Sequence, residues 1–129
     1  MRTSVRTEKA PTPSGPYSQA VVAGDFVYVA GQGPMDVNTG RMVLDSVQAE
    51  TRQVLTNIRN ILEAAGATMA DVVKCNVYLA NRRDFGAMNE VYKEFFAHEP
   101  PARTTVEAHP PSDIRVEIDC IAYRPQGQP

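Results

Sequence analysis

The chain has 129 residues, 43% hydrophobic and 22% charged, which is the size and composition of one globular domain over residues 1–129. Such a domain buries roughly two thirds of its unfolded surface and needs no disulfide or metal to hold it together. A formal net charge of −2 and a pI of about 5.6 exclude the basic footprint of non-specific nucleic-acid binding.

Two cysteines are too few for a disulfide framework, and neither an N-terminal apolar leader nor an apolar run of membrane-spanning length is present. The sequence therefore predicts a cytoplasmic protein with no membrane partner. Residues 1–19 are polar and Pro-rich and are expected to be mostly extended. The run 21–30 carries Gly24-Asp25 between two β-rich stretches, the pattern of a hairpin, and Pro34 closes its second strand. Asn38-Thr39-Gly40 reads as a further turn before a short strand near 41–43. Residues 46–65 give a helix, because Val47, Thr51, Val54, Leu55, Ile58, Ile61 and Leu62 recur on one face. Asp45 or Ser46 is placed to cap it, and Gly66 to end it. A strand over 72–80 precedes a second helix over 84–97, with Asp84 as N-cap and Phe85, Met88, Tyr92, Phe95 and Phe96 on its apolar face. After Pro100-Pro101, strands are expected near 104–108 and 114–123.

Two helices can cover only one face of the resulting sheet. Strand 26–31 is nevertheless apolar on both faces, and strand 72–80 nearly so. An uncovered apolar face is costly in water, at roughly 25 cal/mol per Å². The second face is therefore expected to be buried against other copies of the chain.

Several chemistries find no support. His98 and His109 each adjoin proline and have no metal-ligand spacing. There is no Gly-x-Ser-x-Gly elbow, and Gly31-Gln32-Gly33 is too short for a phosphate loop. Arg2, Arg6, Lys9, Arg82 and Arg83 read as solvated surface, and Met35, Met42, Met69 and Met88 as core or loop fillers. Cys75 and Cys120 fall inside strands, Cys120 in phase with Val116 and Ile118, and read as small core hydrophobes. Glu117 and Asp119 share the opposite face of that strand, about 7 Å apart. The spacing suits paired carboxylate chemistry, and equally a solvent-facing strand.

The segments Gly15-Pro16-Tyr17-Ser18-Gln19-Ala20, Ala30-Gly31-Gln32, Asn57-Ile58 with Glu63-Ala64-Ala65-Gly66, Pro101-Ala102-Arg103 and Val116-Glu117-Ile118 carry a resemblance. In this order, over residues 7–123, the chain resembles the RidA/YjgF family, also labelled L-PSP endoribonuclease. The resemblance implies an α+β, chorismate-mutase-like fold, with one mixed sheet and two helices packed on one face. It further implies a homotrimer with sites in the clefts between subunits. The implied activity is a deaminase of the 2-iminobutanoate/2-iminopropanoate type, a cofactor-free enzyme that hydrolyses small 2-imino or 2-enamino acids. By the same resemblance Arg103 binds the substrate carboxylate, Glu117 stands by the attacking water, and Tyr17, Gly31 and Asn89 complete the substrate site. An arginine fork holds a carboxylate through two parallel hydrogen bonds, which lysine does not reproduce. A carboxylate-binding regulatory trimer and an L-PSP-type ribonuclease or translation inhibitor are the alternatives. Thr105 stands where many members have cysteine, and His109 and Pro110-Pro111 also depart from the pattern, which bears on subfamily and substrate side chain.

Overall fold

The computed structural model describes residues 1–125. In chain order the elements are β1 (Arg2–Val5), β2 (Ala20–Ala23), β3 (Phe26–Gln32), β4 (Met35–Asp36), β5 (Arg41–Met42), α1 (Val47–Ala64), β6 (Val72–Leu79), α2 (Phe85–Phe95), β7 (Ala102–Glu107) and β8 (Val116–Tyr123). Single 3₁₀ turns at Met69–Asp71 and Arg82–Asp84 lead into β6 and α2. The main sheet runs β1-β2-β3-β8-β6-β7, and β4 and β5 form a separate two-stranded ribbon. Every neighbouring pair in the main sheet is antiparallel except β6 and β7, which are parallel and joined through α2. The α+β class and the mixed sheet are as the sequence implied.

The local chemistry explains the boundaries. The Gly24 hairpin turn needs the left-handed backbone that glycine adopts freely, at φ 59°. Ser46, rather than Asp45, caps α1, its hydroxyl accepting the Ala49 N–H at 3.0 Å. The helix ends in a Schellman motif. Gly66, at φ 80°, donates to the Glu63 carbonyl, and the Ala67 N–H reaches the Leu62 carbonyl at 2.8 Å. α1 lays Val54, Leu55, Ile58, Ile61 and Leu62 against the sheet, where Val27, Val77, Ile118 and Cys120 meet them in one core.

The N-terminal segment, expected to be mostly extended, holds a strand the sequence did not set apart, β1, paired with β2 from Arg2↔Ala23 to Val5↔Ala20. It is an almost wholly exposed edge strand, so it carries none of the alternation that marks a half-buried one. Two expectations need correction. Asp84 makes no side-chain cap. The entry to α2 is held one turn earlier by Asn81, whose side-chain Oδ1 accepts the Arg83 N–H. Phe85 does not join the core but lies 46% exposed beside Arg103.

α1 and α2 cover one face of the sheet. The other face presents Phe26, Tyr28, Tyr123 and Val106, all substantially exposed in the single chain. Phe26 and Tyr123 contact each other there, with ring centroids 5.4 Å apart. The uncovered apolar face expected from the sequence is present.

Candidate functional site

β8 is the centre of the sheet and the source of the site. Val116, Ile118 and Cys120 point into the core, so Glu117 and Asp119 rise from the open face. Between β3 and β8 the register shifts: Val29 faces Cys120, but Gln32 faces Ile118, so β3 carries one extra residue across Ala30 and Gly31. This bulge brings the Gly31 backbone against the Glu117 side chain. A methyl group on residue 31 would collide with the Glu117 carboxylate oxygen and lie 3.1 Å from its carboxyl carbon. Only glycine admits Glu117 in that position.

The Glu117 carboxylate is half-buried and, among the described residues, neither accepts a hydrogen bond nor forms an ion pair. Burial, and then the negative charge of Asp119, push its pKa above the usual carboxylate range. Asp119 itself is held. It accepts hydrogen bonds from Asn76 Nδ2 and from the Tyr78 hydroxyl, both at 2.9 Å. Glu117 opens into a cavity of about 180 Å³ whose walls include Tyr17, Gly31, Pro13, Met35 and Ile114. Tyr17 is half-exposed at its mouth, its hydroxyl accepting the Ser14 N–H at 3.2 Å.

Two buried amides build the walls. Gln19, only 2% exposed, accepts the Thr7 N–H at 2.7 Å, and its Nε2 donates to the carbonyls of Thr7, Ala10 and Pro11. It staples the Pro-rich segment along the cavity. Asn57, 1% exposed on α1, donates to the carbonyls of Gly33 and Met35 and fixes the chain leaving β3. Residue reasoning on the sequence assigned neither a role. Both stand inside the motifs that carried the resemblance, and that was the available signal.

Arg103 and Asn89 lie elsewhere. Arg103 sits on the edge strand β7, in register with the core residue Cys75. Its guanidinium carbon rests 4.6 Å from the Tyr92 ring centroid and 5.5 Å from that of Phe85, on the helix-covered side. It forms no ion pair among the described residues. Asn89 Oδ1 is buried beside it without a hydrogen-bond partner among the described residues, and the buried Tyr92 hydroxyl lies next to the Cys75 thiol. One chain thus brings Tyr17, Gly31 and Glu117 together on the open face, and places Arg103 and Asn89 as a second group on the other.

The remaining candidates are quiet. His98 and His109 are exposed. Cys75 and Cys120 face each other in the core, and burial pushes the Cys75 thiol up to about 11 and that of Cys120 higher still. Among the described residues no helix is long and apolar enough to cross a membrane.

The family model described as Endoribonuclease L-PSP matches residues 7–124. The chain belongs to the RidA/YjgF family. Among its relatives in that family, a RutC family protein of Pyrococcus horikoshii is 50% identical over 125 residues, covering 96% of this chain and 99% of the relative. A 2-iminobutanoate/2-iminopropanoate deaminase of Dermatophagoides farinae is 48% identical over 118 residues, covering 91% and 92%. The crystal structure of RidA from an Antarctic Psychrobacter species superposes with a TM-score of 0.90 at 40% identity, covering 94% of this chain and 98% of the other. The family's fold is thus the fold of this chain, over nearly the whole length of each.

Proposed function

We propose that this protein is a cofactor-free deaminase that hydrolyses small 2-imino or 2-enamino acids to 2-oxo acids and ammonia. The observation that carries the reading is Glu117: an unpaired carboxylate of raised pKa, in a half-dry cleft, against a glycine backbone that leaves room beside it. A carboxylate that burial makes hold its proton more tightly than usual can take a proton and return it. The deaminase name borne by a relative 48% identical supports the same chemistry.

In the proposed reaction the substrate carboxylate pairs with Arg103, whose guanidinium has no acidic partner among the described residues. The imine enters protonated on nitrogen, and Glu117 accepts a proton as water adds to the C=N carbon, giving a neutral carbinolamine. It then delivers that proton to the amino nitrogen. The C–N bond breaks, ammonia leaves with the bonding pair, and the hydroxyl group returns its proton to Glu117 as its oxygen becomes the carbonyl of the 2-oxo acid. Orientation supplies the rest of the acceleration, because the reacting carbon is held by its own carboxylate.

Arg103 and Glu117 occupy opposite faces of one chain, so a shared substrate requires them to come from different subunits. We propose a homotrimer whose clefts join the Glu117 face of one copy to the Arg103 edge of the next, in the cytoplasm. The exposed aromatic face supplies apolar surface for that contact. The test is ammonia and 2-oxo-acid release from a freshly generated 2-imino acid, by wild type and Arg103→Ala. Acceleration by wild type alone is expected. Binding of a 2-oxo acid without turnover by wild type would replace the enzyme with a carboxylate-binding protein.

A further inference from the structure

Glu50 is a carboxylate with no exposed surface, and the proposed hydrolysis does not use it. It stands in the first turn of α1, where a negative charge is favoured by the free N–H groups of the helix. Both of its oxygens are spent on one residue. Oε1 accepts the Arg115 backbone N–H at 2.7 Å, and Oε2 accepts Arg115 Nη1 at 2.6 Å. The same Nη1 donates to the Leu44 carbonyl at 2.9 Å. Three segments therefore meet at one guanidinium: the start of α1, the chain after β5, and the chain entering β8.

The two tethered segments are walls of the cleft. Leu44 is two residues past Met42, Arg115 follows Ile114 directly, and both Met42 and Ile114 line the cavity beside Glu117. Ile114 also crosses to the far wall, its Cδ1 lying 3.1 Å from the point a side chain on Gly33 would occupy. Glu117 is two residues beyond Arg115 on β8. A rigid helix thus sets the height at which β8 enters the sheet.

We propose that Glu50 is a positioning residue, which through Arg115 fixes the two cleft walls to α1 and so holds the Glu117 carboxylate at the reacting carbon. The inference rests on Glu117 acting as the proton relay. The Glu50 carboxylate is fully buried while the Arg115 side chain is half-exposed, so loss of Arg115 leaves the buried carboxylate without its partner. A displacement of the relay on the scale of an ångström lowers turnover without touching the carboxylate anchor.

Glu50→Gln keeps the side-chain volume, but puts an amide NH2 where one of the two oxygens now accepts from Arg115, so donor faces donor at that position. Arg115→Lys keeps the charge and the backbone bond but replaces the rigid planar guanidinium, whose Nη1 is held between Glu50 and Leu44, with a flexible ammonium, and it carries the test if Glu50→Gln does not fold. Both are compared with wild type for kcat and KM on a 2-imino acid, and for amide hydrogen exchange at residues 115–118. Arg52→Ala, which breaks the exposed pair of α1 with Glu94, is the control and is expected to behave as wild type. For Glu50→Gln we expect kcat to fall about 10- to 100-fold with KM little changed, and amide exchange at 115–118 to quicken. For Arg115→Lys the fall is about 3- to 10-fold. Folded variants with wild-type kcat, or with unaltered exchange, overturn the proposal. If wild type hydrolyses no imino acid, the reading of the site falls instead, and exchange alone then decides the clamp.

Discussion

At the scale of single residues, the cleft depends on what is missing from residue 31. Gly31→Ala places a methyl where the Glu117 carboxylate lies, and the flexible carboxylate is the part that yields. The expected result is a fall in kcat of about 10-fold or more with little change in melting temperature, read from turnover beside a thermal melt. Glu117→Gln removes the relay itself, and imino-acid turnover should drop by about 100-fold or more. Its stability effect has a definite sign. A carboxyl whose folded pKa is raised binds its proton more tightly folded than unfolded, so it loses stability for the chain as pH rises between those two values. Glu117→Gln should therefore melt higher than wild type at pH 7, and the difference should vanish once pH falls below the ordinary carboxylate value. A Glu117→Gln protein that melts lower than wild type at pH 7 would show that the carboxylate has a partner in solution. The Cys75 and Cys120 thiols are buried and hold their protons at neutral pH, so native protein should resist alkylation that unfolded protein undergoes.

At the scale of elements, α1 does most of the holding. It carries the deepest side chains of the core and, from the same helix, the buried polar groups Asn57 and Glu50. Leu55→Ala should cost about 2–5 kcal/mol of unfolding free energy by denaturant titration, because Leu55 is fully buried between helix and sheet. The apolar stripe of α1 was legible in the sequence, since its burial obeys the helical repeat. So were the Gly24 hairpin and the alternation of β8, which placed Glu117 and Asp119 opposite Cys120. β1 was not, because an exposed edge strand has no face to bury and leaves no period. Phe85 was misplaced for a related reason. Its position on α2 fits the helical repeat, but the ring is drawn to the edge of the sheet, over the Arg103 guanidinium. The clamp from Glu50 to Arg115 could not be read at all. It joins positions 65 residues apart, and in sequence a glutamate in the first turn of a helix looks like any favourable surface charge.

At the scale of the whole molecule, Glu117 and Arg103 face away from each other across one sheet. Composition could not reveal this division; it follows from β8 exposing Glu117 on the open face while α2 draws Arg103 to the other. If the cleft is completed by a neighbouring copy, two inactive variants should restore each other. Arg103→Ala and Glu117→Gln chains, unfolded together and reassembled in equal amounts, should regain about a quarter of wild-type activity, since random pairing leaves that share of clefts with both groups intact. No recovery in properly reassembled protein would place both groups in one chain. The order of the sheet adds a consequence for how the molecule is made. β8 is synthesised after every other strand, yet it lies between β3 and β6. A nascent chain that has emerged only as far as β7 has two separate halves of a sheet and an open seam between them. Closing that seam draws together segments far apart along the chain, which is slow compared with local hairpin formation. The strand that bears Glu117 is thus supplied after the other strands of its sheet, and the hydrophobic seam it fills is where a chaperone or a stray strand would bind first.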